Sequence, residues 1–165
     1  MKDENDSTAI HRRDAKGVFE MTKKIRMGFI GCGSNASSHV RTVVEKLKSD
    51  VEVVALNDTG QSSLNRLFER VPDVKGLPTF SDYREMIKKV EMDAVEISTP
   101  HTLHFEQIMA SLDKGLHVLT EKPMVCSVEH AHTVIEKAEK QGKILMIAYQ
   151  RHLAPQFRYL RNQIM

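Results

Sequence analysis

Small residues at positions 31–36 have the types and the spacing that phosphate binding requires. The segment reads Gly31-Cys-Gly-Ser-Asn-Ala36 and follows Ile25–Ile30, which we predict to be a short buried strand. Glycine at 31 permits a tight turn, glycine at 33 lets a phosphate approach the backbone, and alanine at 36 lets a helix pack closely on the strand. The helix predicted next, Ser37–Lys48, would aim its free N–H groups at that phosphate. This pattern predicts a pyrophosphate site formed by Gly31, Gly33, Ser34, Asn35 and Ala36.

A carboxylate follows the second predicted strand. Asp58 comes just after Val51–Leu56, an apolar run rich in valine and typical of a buried strand. An acidic residue at this point binds the ribose hydroxyls of NAD and repels the 2′-phosphate of NADP. Because no arginine directly follows Asp58, the sequence favours NAD, with NADP left open. The alternative is a loop aspartate that bonds to the backbone of Thr59 or Gly60.

Lys122 has the best position for proton transfer. It follows the predicted strand Leu116–Thr120 and lies between Glu121 and Pro123. A lysine that is partly withdrawn from water can share or accept a substrate proton near neutral pH, and its ammonium group can also hold a substrate hydroxyl. The bond between Lys122 and Pro123 is a candidate for the cis form. The competing interpretation is a solvated loop lysine.

Strand and helix patterns alternate along the chain, which predicts an α/β fold with a parallel sheet covered on both faces. We expect strands at Ile25–Ile30, Val51–Leu56, Leu77–Phe80, Ala94–Ser98, Leu116–Thr120 and Ile144–Tyr149. We expect helices at Ser37–Lys48, Ser62–Arg70, Asp82–Val90, Leu103–Lys114, Ser127–Gln141 and Pro155–Ile164. With a glycine turn after the first strand, the pattern predicts a doubly wound Rossmann sheet with strand order 3-2-1-4-5-6.

Polar residues follow most of these strands. Ligands of a doubly wound sheet bind beyond the carboxyl ends of its strands, so these residues are expected to meet at one edge. The segments are Asn57-Asp58, Ser98-Thr-Pro-His101, Thr120-Glu-Lys-Pro123 and Tyr149-Gln-Arg-His152.

Composition narrows the classes of protein. The net charge of +2 and the lack of a basic stripe argue against nucleic-acid binding, and no apolar run is long enough to cross a membrane. Two cysteines in unrelated positions favour a reduced, cytoplasmic setting. His101 and His104 lie close together, but a catalytic zinc would need a third ligand, so no metal is expected.

Three regions are expected along the chain. Residues 1–23 are predicted to be a disordered polar tail, because they lack apolar periodicity. Residues 24–150 form the dinucleotide-binding domain. Residues 151–165 begin a linker helix, in which Phe157, Leu160 and Ile164 form an apolar stripe that needs a partner.

The chain resembles the family of glucose-fructose oxidoreductase, inositol dehydrogenase and the rhizopine-catabolism proteins (Gfo/Idh/MocA) over residues 23–165. The most specific match is Gly115-Leu-His-Val-Leu-Thr-Glu-Lys-Pro123. Further matching segments are Gly31-Cys-Gly-Ser-Asn-Ala36, Val53-Val-Ala-Leu-Asn-Asp58, Ser98-Thr-Pro-His-Thr-Leu-His104 and Ala148-Tyr-Gln-Arg151. The resemblance implies NAD(P)-dependent hydride transfer at a hydroxyl-bearing carbon of a sugar, cyclitol or related polyol.

The resemblance also implies roles for individual residues. Lys122 would contact the reacting hydroxyl and help to move its proton, and Glu121 would help to hold the nicotinamide half of the cofactor. The residues implied to line the cofactor are Ser98, Thr99, Pro100, His104 and Arg151, together with His101, where the family more often has asparagine. The resemblance covers the nucleotide-binding half only. The second α+β domain, which supplies a further acid or base and much of the oligomer interface, is expected to be absent from these residues.

Two other functions remain open at this point. A non-catalytic nucleotide-binding module would suit the chain length, although binding alone does not need Lys122. An NAD-dependent glycosidase of the same family would cleave a glycosidic bond through transient oxidation, and it would hold its cofactor tightly.

Overall fold

One parallel sheet organises the part of the chain that the computed structural model describes, which is residues 11–13, 19–21 and 23–164. Its strands are β1 (Ile25–Ile30), β2 (Val51–Asn57), β3 (Thr79–Phe80), β4 (Ala94–Ile97), β5 (His117–Thr120) and β6 (Leu145–Ile147). They pair in the order β3-β2-β1-β4-β5-β6, and all pairs are parallel. The predicted Rossmann order is therefore confirmed.

Helices cover both faces of the sheet. They are α1 (Ser34–Lys46), α2 (Gln61–Arg70), α3 (Tyr83–Lys89), α4 (His104–Asp113) and α5 (Val128–Lys140), and one further helix, α6 (Pro155–Ile164), follows the sheet. Successive side chains of a strand point to opposite faces, and β1 shows this directly. Phe29 packs in an apolar cluster with residues of α1 and α2, whereas Ile30 packs in a second cluster with residues of α3, α4 and α5. Burial on both faces explains why the strands read as continuous apolar runs.

Side chains cap the starts of two helices, whereas no side chain caps the start of α1. Asp82 caps α3 by accepting a hydrogen bond from the backbone of Arg84, and Ser127 caps α5 by accepting one from His130. Aspartate and serine are among the residues preferred at this position of a helix. The first helix begins at Ser34, three residues earlier than predicted, so three of the residues expected in the phosphate-binding turn, Ser34, Asn35 and Ala36, belong to its first turn.

The two ends of the chain depart from the sheet. His11–Arg13 and Phe19–Met21 pair as short antiparallel strands, where the sequence predicts a disordered tail. Residues 1–10, 14–18 and 22 of that tail lie outside the described residues, and the disorder of the tail stays a prediction. At the other end, Phe157, Leu160 and Ile164 of α6 are exposed, so the stripe that was expected to need a partner is not covered by the described residues. The assignment of residues 151–165 to a linker stays a prediction. None of the described helices has the length and apolar character needed to span a membrane.

Candidate functional site

The glycine turn after β1 joins three strand ends. Gly31 has a φ of +86°, a left-handed conformation that favours glycine. Its N–H donates to the carbonyl of Asn57 at 2.8 Å. A Cβ at this position would lie 2.9 Å from the backbone carbonyl carbon and oxygen of Ser98, too close for any real side chain. The backbone at 31 is therefore fitted between the ends of β2 and β4.

The first turn of α1 is suited to an anion. No side chain caps it at Gly33, and its first turn contains no acidic residue. A Cβ added at Gly33 would meet no described atom within 4 Å, so the backbone faces open space. Ser34 and Asn35 are exposed, while Ala36 is fully buried against the sheet. Uncapped N–H groups in an open position provide the geometry that a pyrophosphate needs, so the predicted phosphate site fits.

Asp58 is held at the end of β2 by two backbone amides. Its Oδ2 accepts from Cys32 N–H at 2.8 Å, and its Oδ1 accepts from Gly60 N–H at 2.8 Å. The local turn bond considered from the sequence is therefore present, and a second bond ties the carboxylate to the glycine turn. Each carboxylate oxygen can accept a further hydrogen bond, and Asp58 lines the open cleft. Both bonds orient the carboxylate and leave acceptors for ribose hydroxyls.

The cleft beside Asp58 has a volume of about 590 Å³, which is within the usual size range of a ligand pocket. Arg84 lies over the ring of Tyr83, with its guanidinium carbon 4.5 Å from the ring centroid, and it pairs with Glu106 at 3.2 Å. Residues that follow β1, β2 and β4 contribute to the walls of the cleft. The lining includes Gly31, Gly33, Asn57, Asp58, Tyr83, Arg84, Ser98, Thr99, Pro100 and Gln107.

The loop after β4 contributes some of the residues predicted to line the cofactor. Ser98, Thr99 and Pro100 line the cleft, and Thr99 Oγ1 donates to Gln107 Oε1 at 2.5 Å. His101 is exposed in the short turn before α4 and is not among the described lining residues.

His104 differs from its predicted role as a cofactor contact. It is fully buried, with Nδ1 2.9 Å from the carbonyl oxygen of Pro123 and Nε2 3.0 Å from that of Thr99. Because both ring nitrogens face backbone oxygens, the ring has no surface left for a ligand. His104 instead joins the loop after β4 to the loop after β5, and so supports the cleft from beneath.

Glu121 and Lys122 lie together at the end of β5. Glu121 is 5 % exposed, and its Oε2 accepts from the backbone N–H of Lys122 at 3.1 Å. The same oxygen lies 3.6 Å from Lys122 Nζ. The Lys122 side chain is 53 % exposed, so the described residues do not withdraw it from water as far as expected. The Lys122–Pro123 peptide bond is cis, as anticipated.

Two further residues near the strand ends, Arg151 and Cys32, do not present a reactive group to the cleft. Arg151 is exposed in the turn after β6, and it is not among the described residues that line the cleft. Burial raises the pKa of the Cys32 thiol to about 12, and the Asp58 and Glu96 carboxylates add to the effect. The thiol is therefore protonated at neutral pH, consistent with a small buried filler. Within the described residues, no three His, Cys, Asp or Glu side chains are grouped to hold a metal.

Two ionisable residues beneath the site were missed from the sequence. Glu96 lies in β4 and is 1 % exposed, and its Oε1 is 3.1 Å from Nδ1 of His39 on α1. His39 Nε2 is 3.6 Å from Glu121 Oε1. The hydrogen bond to Glu96 is the main cause that raises the pKa of His39. A carboxylate within an otherwise apolar central strand was the available signal, because charged residues are almost never fully buried unless they are paired.

Comparison with known proteins decides the family. The model described as GFO_IDH_MocA, an oxidoreductase family with an NAD-binding Rossmann fold, matches residues 25–149, which include the whole sheet. The chain belongs to this family. The resemblance recognised from the sequence motifs is therefore confirmed, and residues 25–149 are the family's NAD-binding Rossmann fold.

Two relatives of the chain are named for different reactions, one an oxidation and the other the cleavage of a glycosidic bond. The D-glucoside 3-dehydrogenase of Escherichia coli is 29 % identical over 140 residues, covering 85 % of this chain and 39 % of the relative. The alpha-N-acetylgalactosaminidase of Shewanella oneidensis is 32 % identical over 129 residues, covering 74 % of this chain and 28 % of the relative. The chain therefore spans less than half the length of these GFO_IDH_MocA relatives.

A solved structure shares the fold. The WlbA dehydrogenase from Bordetella pertussis, in complex with NADH and UDP-GlcNAcA, has a TM-score of 0.78 and 25 % identity. The match covers 86 % of this chain and 42 % of the WlbA chain.

Proposed function

We propose that the cleft of this GFO_IDH_MocA chain binds NAD, and that the protein transfers a hydride to or from a hydroxyl-bearing carbon of a sugar, cyclitol or similar polyol. The observation that carries the proposal is the geometry of the glycine turn. The turn presents an uncapped helix start in open space, and Asp58 is held beside it with free acceptor capacity. An anion site next to a hydroxyl acceptor suits the pyrophosphate and ribose of a dinucleotide.

Each part of the cofactor has candidate partners. The N–H groups at the start of α1, including those of Ser34 and Asn35, would hold the pyrophosphate. Asp58 would accept hydrogen bonds from the adenosine ribose hydroxyls, and Glu121 would orient the nicotinamide half. When bound, NAD supplies the hydride acceptor or donor. Lys122 would hold the substrate hydroxyl and take or return its proton at Nζ, which requires the half-exposed ammonium to be covered by substrate.

Calorimetric titration of the full chain with NADH and with NADPH tests the binding site. We expect NADH to bind and NADPH to bind more weakly. Gly33→Val would place a side chain in the open space beside the first turn, so we expect NADH affinity to fall about tenfold or more with the fold retained. If the folded wild-type chain binds neither cofactor, the proposed function is overturned.

Asp58→Ala should lower both cofactor preference and stability. The change leaves the N–H groups of Cys32 and Gly60 without their acceptor, which should cost about 1–3 kcal/mol in the free energy of unfolding. It also removes the carboxylate that favours a ribose hydroxyl over a 2′-phosphate, so the ratio of NADH to NADPH affinity should fall. Asp58→Asn keeps the shape without the charge and should lose the preference too. An unchanged ratio in both variants would remove Asp58 from the ribose site.

A glycosidase is the second candidate, because the Shewanella oneidensis relative is named as one. A glycosidase that works by transient oxidation regenerates its cofactor within each cycle, so tight retention is expected. Mass spectrometry of the supernatant after denaturing the purified protein distinguishes the two. Cofactor present in near-equal amount to protein favours the glycosidase, whereas cofactor-free protein favours a dehydrogenase that exchanges NAD.

Setting and assembly are part of the same proposal. Both cysteines are unpaired, with Cys32 buried and Cys126 exposed, which supports a cytoplasmic setting. Oligomer formation, expected for the full-length family, would involve surfaces beyond the cleft. Neither nucleic acid nor a membrane is proposed as a partner.

A further inference from the structure

Four ionisable side chains form a row that leads from the centre of the sheet to the site. Glu96 Oε1 lies 3.1 Å from His39 Nδ1, and His39 Nε2 lies 3.6 Å from Glu121 Oε1. The other oxygen of Glu121 lies 3.6 Å from Lys122 Nζ. The row therefore alternates carboxylate, imidazole, carboxylate and ammonium. It connects β4, α1 and the end of β5.

Because Glu96 and Glu121 are buried, the charge on His39 determines whether the charges of these two carboxylates are compensated. The side chains of Glu96 and Glu121 are 1 % and 7 % exposed, and a buried carboxylate is unfavourable without a compensating charge. With His39 protonated, the row holds two negative and two positive charges and is neutral. With His39 neutral, two buried carboxylates share only the half-exposed ammonium of Lys122.

Few other described groups compensate the negative charge of the buried Glu96 carboxylate. Its Oε1 also accepts from Ser98 Oγ at 2.5 Å, but its Oε2 has no hydrogen-bond partner among the described residues. The nearby Cys32 thiol faces the same carboxylate and stays protonated, so it adds no charge at neutral pH. His39 is therefore the cation on which Glu96 depends.

We propose that His39 and Glu96 are positioning residues: protonated His39 bridges the two buried carboxylates and holds Glu121 against Lys122. The catalytic importance of this position rests on the proposed role of Lys122, but the bridge itself does not. Glu96 fixes the imidazole from within the sheet, and His39 in turn fixes the Glu121 carboxylate. The site would thereby respond to pH through a residue that does not touch the substrate.

The direction of the pH response follows from the partners of His39. The hydrogen bond to Glu96 and the charges of Glu96 and Glu121 raise its pKa above the ordinary value of 6.5, against the opposing effect of burial. A raised folded pKa means that the bridge contributes its full stability below the unfolded value. That contribution is lost as pH rises through the raised pKa of His39.

Nuclear magnetic resonance of the full chain with labelled histidine tests the bridge. We expect the imidazole of His39 to titrate with a midpoint above 6.5, and Glu96→Gln to lower that midpoint, because it removes the charged hydrogen-bond partner. His39→Gln assigns the resonance. His132→Gln, on the exposed surface of α5, is the matched control and should leave the midpoint unchanged. A wild-type midpoint at or below 6.5, or one that Glu96→Gln does not move, would overturn the proposal.

A second measurement follows the connection to Lys122. In the chain labelled with ¹³C-lysine, the Cε resonance of Lys122 should shift with the midpoint of His39. That response should disappear in Glu121→Gln and in His39→Gln, while Lys122→Arg assigns the signal. A Lys122 resonance that ignores the His39 midpoint would refute the coupling. Neither measurement needs cofactor or turnover, so a failure of NADH binding and a failure of this proposal are separate results.

Discussion

Gly31→Ala should destabilise the fold by about 2–6 kcal/mol. A non-glycine residue in the left-handed region costs about 1–3 kcal/mol, and overpacking a tight contact costs a similar amount. Both penalties apply at Gly31, because φ is +86° and the new Cβ would lie 2.9 Å from the backbone of Ser98. The turn cannot relax freely, since its N–H is bonded to Asn57 on the neighbouring strand. Urea unfolding followed by circular dichroism measures the change.

Gly33→Ala is the matched control for this change. The two glycines are two residues apart, but Gly33 has a φ of −70°, and an added Cβ would meet no described atom within 4 Å. We therefore expect its free energy of unfolding to stay within about 0.5 kcal/mol of wild type. Equal stability of Gly31→Ala and Gly33→Ala would contradict the strained turn, and with it the close contact between the ends of β1 and β4.

Lys122→Ala should reduce turnover by about two to four orders of magnitude and leave NADH affinity nearly unchanged. A positioned group that transfers a proton in the transition state contributes about this much to the rate. The affinity for NADH should not fall with turnover, because the start of α1 and Asp58, and not Lys122, make the proposed contacts to the pyrophosphate and the ribose. The measurement is NADH formation with sugars and cyclitols as substrates, together with calorimetric titration of NADH.

Two variants separate the proton-transfer role of Lys122 from its charge. Lys122→Arg keeps a cation beside Glu121, but the guanidinium group cannot release its proton. Turnover of this variant should therefore be as low as that of Lys122→Ala, while the stability of the fold is preserved. Lys75→Ala removes an exposed lysine outside the cleft and should have no effect. Turnover of Lys122→Ala within threefold of wild type would refute the catalytic role and favour a nucleotide-binding module.

Local sequence was enough to predict the sheet and the edge of the sheet at which the cleft lies. The alternation of apolar strands with amphipathic helices gives the parallel sheet, and the glycine turn identifies β1 as its first central strand. Because parallel strands end at one edge, the positions of Asp58, Ser98, Thr99 and Lys122 followed without knowledge of any contact. Helix α1 began earlier than predicted, because its first turn contains the polar residues that had been assigned to the loop.

Contacts between elements could not be obtained from the same patterns. His104 follows a segment that is predicted to bind the cofactor, yet the packing of α4 buries it between two loops. Arg151 and His101 lie at the expected edge, but their side chains are exposed outside the described cleft lining. In each case the backbone position was predictable, but the direction of the side chain was not, since that direction depends on neighbours distant in the chain.

The fold, the family and the edge of the sheet where chemistry is expected were predictable from the sequence, because periodicity and turn residues act over a few positions. The bond between Asp58 and the glycine turn, and the row that Glu96, His39 and Glu121 form next to Lys122, became visible in the folded structure alone. The contacts between Cys32 and Asp58, between His39 and Glu96, and between His39 and Glu121 join residues that are 26, 57 and 82 positions apart. The hydrogen bond to Glu96 raises the pKa of His39, and that bond exists only once α1 has packed on the sheet.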